Sequence, residues 1–195
     1  MSRLPKFNEL NTCHFVTTKV WQDIWLFKEG KYCQIIIDNL NFYRQKFNFK
    51  LIAYAIMPWH LHLILMLSKR CNDITKVMRA IKSHSARQII DCIYYTGRRG
   101  PLTSPPIDNL GQGTQATRGG YPHRRMSEQK YYIWQPSFYD FNIYSDEKLE
   151  QKVNYVNHNA AKHGLVSNPV DYKYSSARNY YLDNQSIIKI DKLDW

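Results

Sequence analysis

The chain has 195 residues, 44% of them hydrophobic and 14% aromatic, enough to bury the core of one folded domain and too few for two full ones. Its 27 Lys and Arg against 16 Asp and Glu leave a net charge of +11, spread through every segment, which favours a polyanionic partner such as nucleic acid over a single membrane-binding helix. The four cysteines lack CxxC spacing, the N-terminus opens no apolar signal segment, and no uninterrupted apolar run, Leu63 to Leu67 included, approaches the roughly 20 residues that cross a bilayer; the expectation is a soluble cytoplasmic protein, associated with the nucleoid if its partner is DNA.

Residues 12–20 are β-branched and aromatic and predict a first strand. Residues 30–48 carry Ile36, Leu40, Tyr43 and Phe47 at helical spacing. A second strand spans Lys50 to Met57, and Pro58 marks the junction to a third. That third run, Trp59-His60-Leu61-His62-Leu63-Ile64-Leu65-Met66-Leu67, is short, apolar and branched, so it reads as a buried strand. A strand points residues two apart to one face, so His60 and His62 stand side by side, where their ring nitrogens can hold one divalent cation. Two hydrogen-bonded histidines at a sheet edge would give the same pattern, and a second constellation has to decide.

A helix over about 72–95 follows, with Ile74, Val77, Ile81, Ala86 and Ile89 apolar and Lys76, Arg79, Lys82 and Arg87 basic. The order strand, helix, strand, strand, helix opens a split β-α-β arrangement, an α+β fold with a ferredoxin-like antiparallel sheet and helices on one face. Residues 96–129 then collect six of the eight glycines and half the prolines, with Arg98, Arg99, Arg118, Arg124 and Arg125. They read as a flexible insertion, either a solvated linker or a segment lying on a nucleic-acid backbone through groups such as Arg124 and Arg125. A strand is expected at Tyr131-Tyr132-Ile133-Trp134, with order running on through an aromatic stretch to about Tyr144.

The best-marked helix is 145–163. Ser145 is its N-cap, Asp146 and Glu147 fill the first turn, Lys162 and His163 the last, and Gly164 terminates it. Leu149, Val153, Val156 and Ala160 form the apolar stripe. Tyr155 and Asn159, four apart, sit one above the other at its flank and can serve one site. His158 is an alternative donor to Asn159 on the same helix, and Lys162 and His163 can reach a phosphate. The tail from about 168 includes Lys173-Tyr174-Ser175-Ser176-Ala177-Arg178-Asn179-Tyr180-Tyr181, where Lys173 and Arg178 interleave with aromatics either as a single-strand-binding surface or as a packed amphipathic segment.

These blocks carry a resemblance. Met57-Pro58-Trp59-His60-Leu61-His62 resembles the MPxHxH signature of the HUH single-stranded DNA transposases. Val153-Asn154-Tyr155-Val156-Asn157-His158-Asn159, followed by Lys162-His163-Gly164-Leu165-Val166, resembles the tyrosine helix of their REP-associated branch, and Ile133-Trp134-Gln135-Pro136 and the ending Asp191-Lys192-Leu193-Asp194-Trp195 fit it as well. The resemblance implies a single domain in which His60, His62 and Asn159 hold Mg²⁺ or Mn²⁺ and Tyr155 is the nucleophile. It also implies cleavage and strand transfer of single-stranded or hairpin DNA, such as a palindromic repeat, through a 5′-phosphotyrosine intermediate, by a monomer rather than a homodimer.

The chemistry of these residue types is consistent with that role. A phenol with a reference pKa of about 10 is a weak nucleophile at neutral pH and needs a cation at the phosphate it attacks. Where relatives carry Asn-Pro, this chain has Asn159-Ala160-Ala161, so the helix is free to run on. The rival reading from another class is a non-catalytic nucleic-acid-binding regulator on the same fold. A phosphoesterase with paired HxT motifs fails for want of the second motif, and an RNA-binding module for want of aromatic signature residues on the central strands.

Overall fold

The computed structural model describes residues 13–96, 132–182 and 186–192. Four strands, β1 (Cys13–Lys19), β2 (Lys50–Met57), β3 (His60–Met66) and β4 (Tyr139–Ile143), form one antiparallel sheet in the order β2-β3-β1-β4. Helices α1 (Gly30–Phe47) and α2 (Ile74–Thr96) connect β1 to β2 and lead away from β3. This is the ferredoxin-like order expected from the sequence.

Strand alternation splits the core into two layers. Val16, Leu51, Tyr54, Ile56, Leu61, Leu63 and Leu65 face α1 and α2, packing on Ile36, Leu40, Val77 and Ile81. Cys13, Phe15, Ile52, Ala53, Ala55, Met57 and Ile64 face the other way. There they meet Leu149, Val153, Val156 and Ala160 of α3 (Asp146–Lys162). The small side chains of Ala53 and Ala55 let α3 lie close against β2.

The local signals behave as their chemistry dictates. Ser145 caps α3 by accepting from the Lys148 amide, and Gly164 takes φ +70° where the chain leaves that helix. Asp73 Oδ1 accepts from the Thr75 and Lys76 amides at the start of α2. With alanines after Asn159, α3 continues to Lys162 unbroken, and the His163 amide still donates to the Asn159 carbonyl at 3.1 Å.

One expectation is corrected. The strand predicted at Tyr131–Trp134 does not form among its described residues, and the ladder is instead made by β4, residues Tyr139–Ile143, in the aromatic stretch that follows; Tyr131 lies outside the described residues. Ile133 and Trp134 are buried, and Trp134 makes only an isolated bridge to Val20. Pro136 lacks an amide hydrogen and Ser137 adopts φ +65°, so the ladder along β1 breaks between the two pieces. The predicted insertion at 96–129, apart from Thr96, which ends α2, also lies outside the described residues.

The C-terminal tail is a strap over the outer edge of β2. The Ile56 amide donates to the Tyr174 carbonyl, Ser176 N–H to the Tyr54 carbonyl, and Asp191 N–H to the Leu51 carbonyl. Ser176 Oγ also donates to Asn157 Oδ1 at 2.7 Å, locking the strap to α3. The short helix α4 (Ala177–Tyr181) follows that junction. Replacing Ser176 by alanine strands the buried Asn157 acceptor, so the Ser176→Ala protein should lose about 1–3 kcal/mol in urea unfolding; an unchanged midpoint would show that the strap is not tied to α3 in this way.

Candidate active site

The two histidines occupy adjacent inward positions of β3 on the α3 face, as the alternation requires. Their neighbours across the sheet are Met57 and Ala55 on β2 and Lys19 and Thr17 on β1. Both are nearly sealed from solvent, at 5% and 3% exposure. Their Nε2 atoms face one another at 2.9 Å, and Asn159 Oδ1 comes down from α3 to 3.2 Å from His60 Nε2. Three donor atoms from two distant segments thus converge on one point.

Burial drives both imidazole pKa values down. His60 falls to about 4, chiefly by desolvation, with the Asn159 hydrogen bond opposing and the His163 charge adding to the fall. His62 falls to about 3 by desolvation and by the charges of His60, His163 and Lys152. Both rings are therefore neutral at physiological pH, the form that ligates metal. Thr17 Oγ1 lies 2.8 Å from His62 Nδ1, and the tautomer that donates Nδ1–H to it leaves the Nε2 lone pair aimed into the site. His60 Nδ1 and Asn159 Nδ2 have no hydrogen-bond partner among the described residues.

The donor set fits a divalent cation. Adjacent ligands of an octahedral ion bound at about 2.1 Å stand about 3 Å apart, which the separations of 2.9 and 3.2 Å match. Among the described residues no group of three His, Cys, Asp or Glu gathers anywhere, so the third donor here is an amide oxygen. Two imidazoles and one carbonyl-type oxygen suit Mn²⁺ or Mg²⁺ and bring no negative charge.

Tyr155 stands beside this cluster. Its ring centroid is 5.4 Å from that of His62 and 5.8 Å from Phe15, and at 38% exposure it is open to a substrate. Lysines flank it. Lys162 Nζ lies 5.5 Å from the ring centre, and Lys152 Nζ 5.9 Å from it while also sitting 4.5 Å over Phe15 and 5.0 Å over Phe141. Burial against these rings holds the Lys152 ammonium below the ordinary lysine pKa. The sequence reading missed Lys152; its only signal was a place three residues before Tyr155 on the same helix.

The other predicted residues divide. His163 is exposed at the end of α3 but packs edge-on against Trp59 at 5.1 Å and lies 5.9 Å from His60, at the rim of the site. His158 points away, its Nδ1 2.9 Å from the Asn154 carbonyl oxygen and its ring against Tyr181, so it cannot stand in for Asn159. Arg178 donates Nε to the Val170 carbonyl, and Lys173 lies over Tyr174, while the hydroxyls of Tyr172 and Tyr180 donate to carbonyls of β2. That stretch is packing for the strap. Arg124 and Arg125 lie outside the described residues.

With the geometry in place, comparison with known proteins becomes informative. Residues 11–97, which include both histidines, match the family model described as transposase IS200 like. Over this stretch the chain is similar to the IS200-like transposases. Tyr155 and Asn159 lie beyond the matched residues. The chain is 24% identical over 136 residues to a Haemophilus influenzae protein named as a REP-associated tyrosine transposase, an alignment covering 68% of the chain and 61% of that relative's length. It shares the fold of a solved REP-associated tyrosine transposase bound to a REP hairpin, with a TM-score of 0.65 and 18% identity over all of this chain and 95% of that one. Among the described residues no helix is long and apolar enough to cross a membrane.

Because the buried imidazoles bind protons less readily than the same groups in the unfolded chain, the unfolded state protonates first as the pH falls below the ordinary value of 6.5. The stability they contribute is present above that value and is lost progressively toward pH 4. Metal-free protein should therefore show a falling melting temperature from about pH 7 to pH 5, with a shallower slope in the His60→Gln, His62→Gln double variant; equal slopes would rule out buried neutral histidines.

Proposed function

We propose that the protein is a metal-dependent endonuclease and strand transferase of single-stranded DNA, acting at hairpins through a covalent 5′-phosphotyrosine intermediate at Tyr155. The observation that carries this reading is the phenol ring 5.4 Å from His62, at the edge of the three-donor cluster. His60, His62 and Asn159 would hold Mg²⁺ or Mn²⁺. Bound there, the ion would supply charge neutralisation at the scissile phosphate.

The remaining work belongs to the chain's own groups. Tyr155 Oη forms a bond to phosphorus as the bond from phosphorus to the 3′-oxygen breaks; the phenolic proton passes to solvent and the departing 3′-oxygen gains one. Lys152 and Lys162, both near the phenol ring, favour the build-up of negative charge beside it. Thr17 fixes the His62 ring so that the site needs little reorganisation. The phosphotyrosyl bond retains the energy of the broken phosphodiester, so a second 3′-hydroxyl can reverse the step and complete strand transfer without a nucleotide cofactor.

The hairpin substrate comes from the resemblance to the REP-associated branch, and the net charge of +11 supports a polyanionic ligand. Coverage of the β2 edge by the strap supports a monomer. A labelled hairpin oligonucleotide with unpaired flanks, incubated with Mn²⁺, should yield a protein adduct stable to denaturant. EDTA should abolish it, as should Tyr155→Phe. His60→Ala should reduce its rate by at least the roughly 10–100-fold that outer-shell changes cost metal sites. Tight binding with no adduct or nick in either metal would replace this reading with that of a non-catalytic DNA-binding regulator.

A further inference from the structure

Beside the histidines, the turn between β2 and β3 presents an indole that the chemistry above does not use. Trp59 packs edge-on against His60, with ring centroids 5.1 Å apart, and on His163 at the same distance. Its stacking partner is Trp25, with centroids 5.1 Å apart and planes 25° from parallel. Trp25 is 54% exposed although one face is covered by Trp59, so its other face must open to solvent. A flat, apolar, aromatic surface therefore continues outward from the site.

We propose that the Trp25–Trp59 stack is a base-stacking shelf for an unpaired nucleotide of the DNA strand whose phosphate lies at His60 and His62. The inference rests on the single-strand reading above and names a binding subsite for it. Three observations favour a nucleobase. Two near-parallel rings leave one flat face, which suits a planar ligand; a cage for a methylated cation needs several rings at angles to one another. Lys28 is three residues from Trp25, and Lys19, opposite His60 across the sheet, lies 3.5 Å from Asp23 with its side chain half exposed, so basic groups beside the shelf can meet the phosphates of a strand. The shelf also adjoins the histidine pair directly, so a base stacked there belongs to the strand that enters the site.

The shelf is held rigidly. Val20 N–H donates to the Trp59 carbonyl at 2.8 Å and Phe27 N–H to the Pro58 carbonyl at 2.9 Å, which fastens the loop bearing Trp25 to the turn bearing Trp59 at both ends. Between those ties Gln22 and Asp23 both adopt left-handed backbone, at φ 54° and 55°, without being glycine. Such strain persists only where surrounding structure over-determines it, and it clusters at ligand sites. The bond from the Lys28 amide to the Trp25 carbonyl at 3.2 Å fixes the backbone of the exposed indole itself.

The test uses the full chain and a panel of hairpin oligonucleotides with unpaired flanks, in which one flank base at a time is replaced by 2-aminopurine or by an abasic site. Wild-type protein should quench 2-aminopurine at one flank position and bind the corresponding abasic oligonucleotide about tenfold more weakly than the intact one. Trp25→Ala should lose that quenching, bind intact DNA about tenfold more weakly and become indifferent to the abasic site. Trp25→Phe, which keeps a stacking face, should recover part of both. Because Trp25 is exposed, its melting temperature should not change, which separates lost stacking from lost folding. If wild type forms the covalent adduct and Trp25→Ala matches it in affinity and abasic sensitivity, the shelf is overturned and the cleavage reading stands. If Trp25-dependent stacking occurs without an adduct, the shelf stands and the cleavage reading falls. Failure of wild type to bind any of these strands would overturn both.

Discussion

The arrangement depends on two imidazoles kept neutral by burial and turned toward each other by strand alternation. His60 and His62 share a face of β3 because they are two residues apart, and burial there strips each ring of its proton at any physiological pH. A charged pair with Nε2 atoms 2.9 Å apart would repel strongly in so dry a place. The protein offers lone pairs at a fixed point, and the rest of the fold keeps that point in reach of a helix. Ala55, opposite His62 on β2, takes up little volume, and Val156 and Ala160 fill the space between sheet and helix. Asn159 is then delivered from α3 to its 3.2 Å contact with His60.

Much of this was legible in the sequence because the signals are local and periodic. The strands of residues 13–19, 50–57 and 60–66 and the helices between them follow from apolar spacing, and α3 from its cap, dipole charges and terminating glycine. Where long-range pairing decides, the reading fails. Ile133 and Trp134 have strand composition and are buried, yet Pro136 and Ser137 interrupt the ladder and the strand forms later. The tyrosine-rich tail resembles a stacking surface in composition, but its hydroxyls satisfy carbonyls of β2, a partner more than a hundred residues away. Lys152 looked like one more solvated lysine on a helix; only the tertiary approach of Phe15 and Phe141 sets it beside Tyr155.

The strap links sheet protection to the site. An uncovered β2 edge would present open amides and carbonyls to any passing strand. Residues 174–176 and 191 take those hydrogen bonds, with Asp191 pairing both with the Leu51 amide through its carboxylate and with Arg44 of α1. The same segment grips Asn157, two residues from Tyr155 and two from Asn159, through Ser176. Edge coverage and helix placement therefore share residues. Loosening the tail would disturb the register of the phenol against the histidines as well as the sheet.

The absence of a carboxylate from the donor set shapes how the proposed chemistry is ordered. On the proposed reading, two imidazoles and an amide oxygen would bring no negative charge to a cation, so their hold on Mg²⁺ or Mn²⁺ alone would be weak. A phosphate oxygen would supply the missing negative charge, and the cationic chain, with Lys152 and Lys162 near the phenol, would draw that phosphate in. Ion and strand would then bind better together than either alone, a coupling that is reciprocal by thermodynamic necessity. A carboxylate in place of Asn159 would tighten the ion while repelling the phosphate, uncoupling the two. On the proposed reading, a neutral donor set keeps the tyrosine poorly activated until the strand it cleaves is in place.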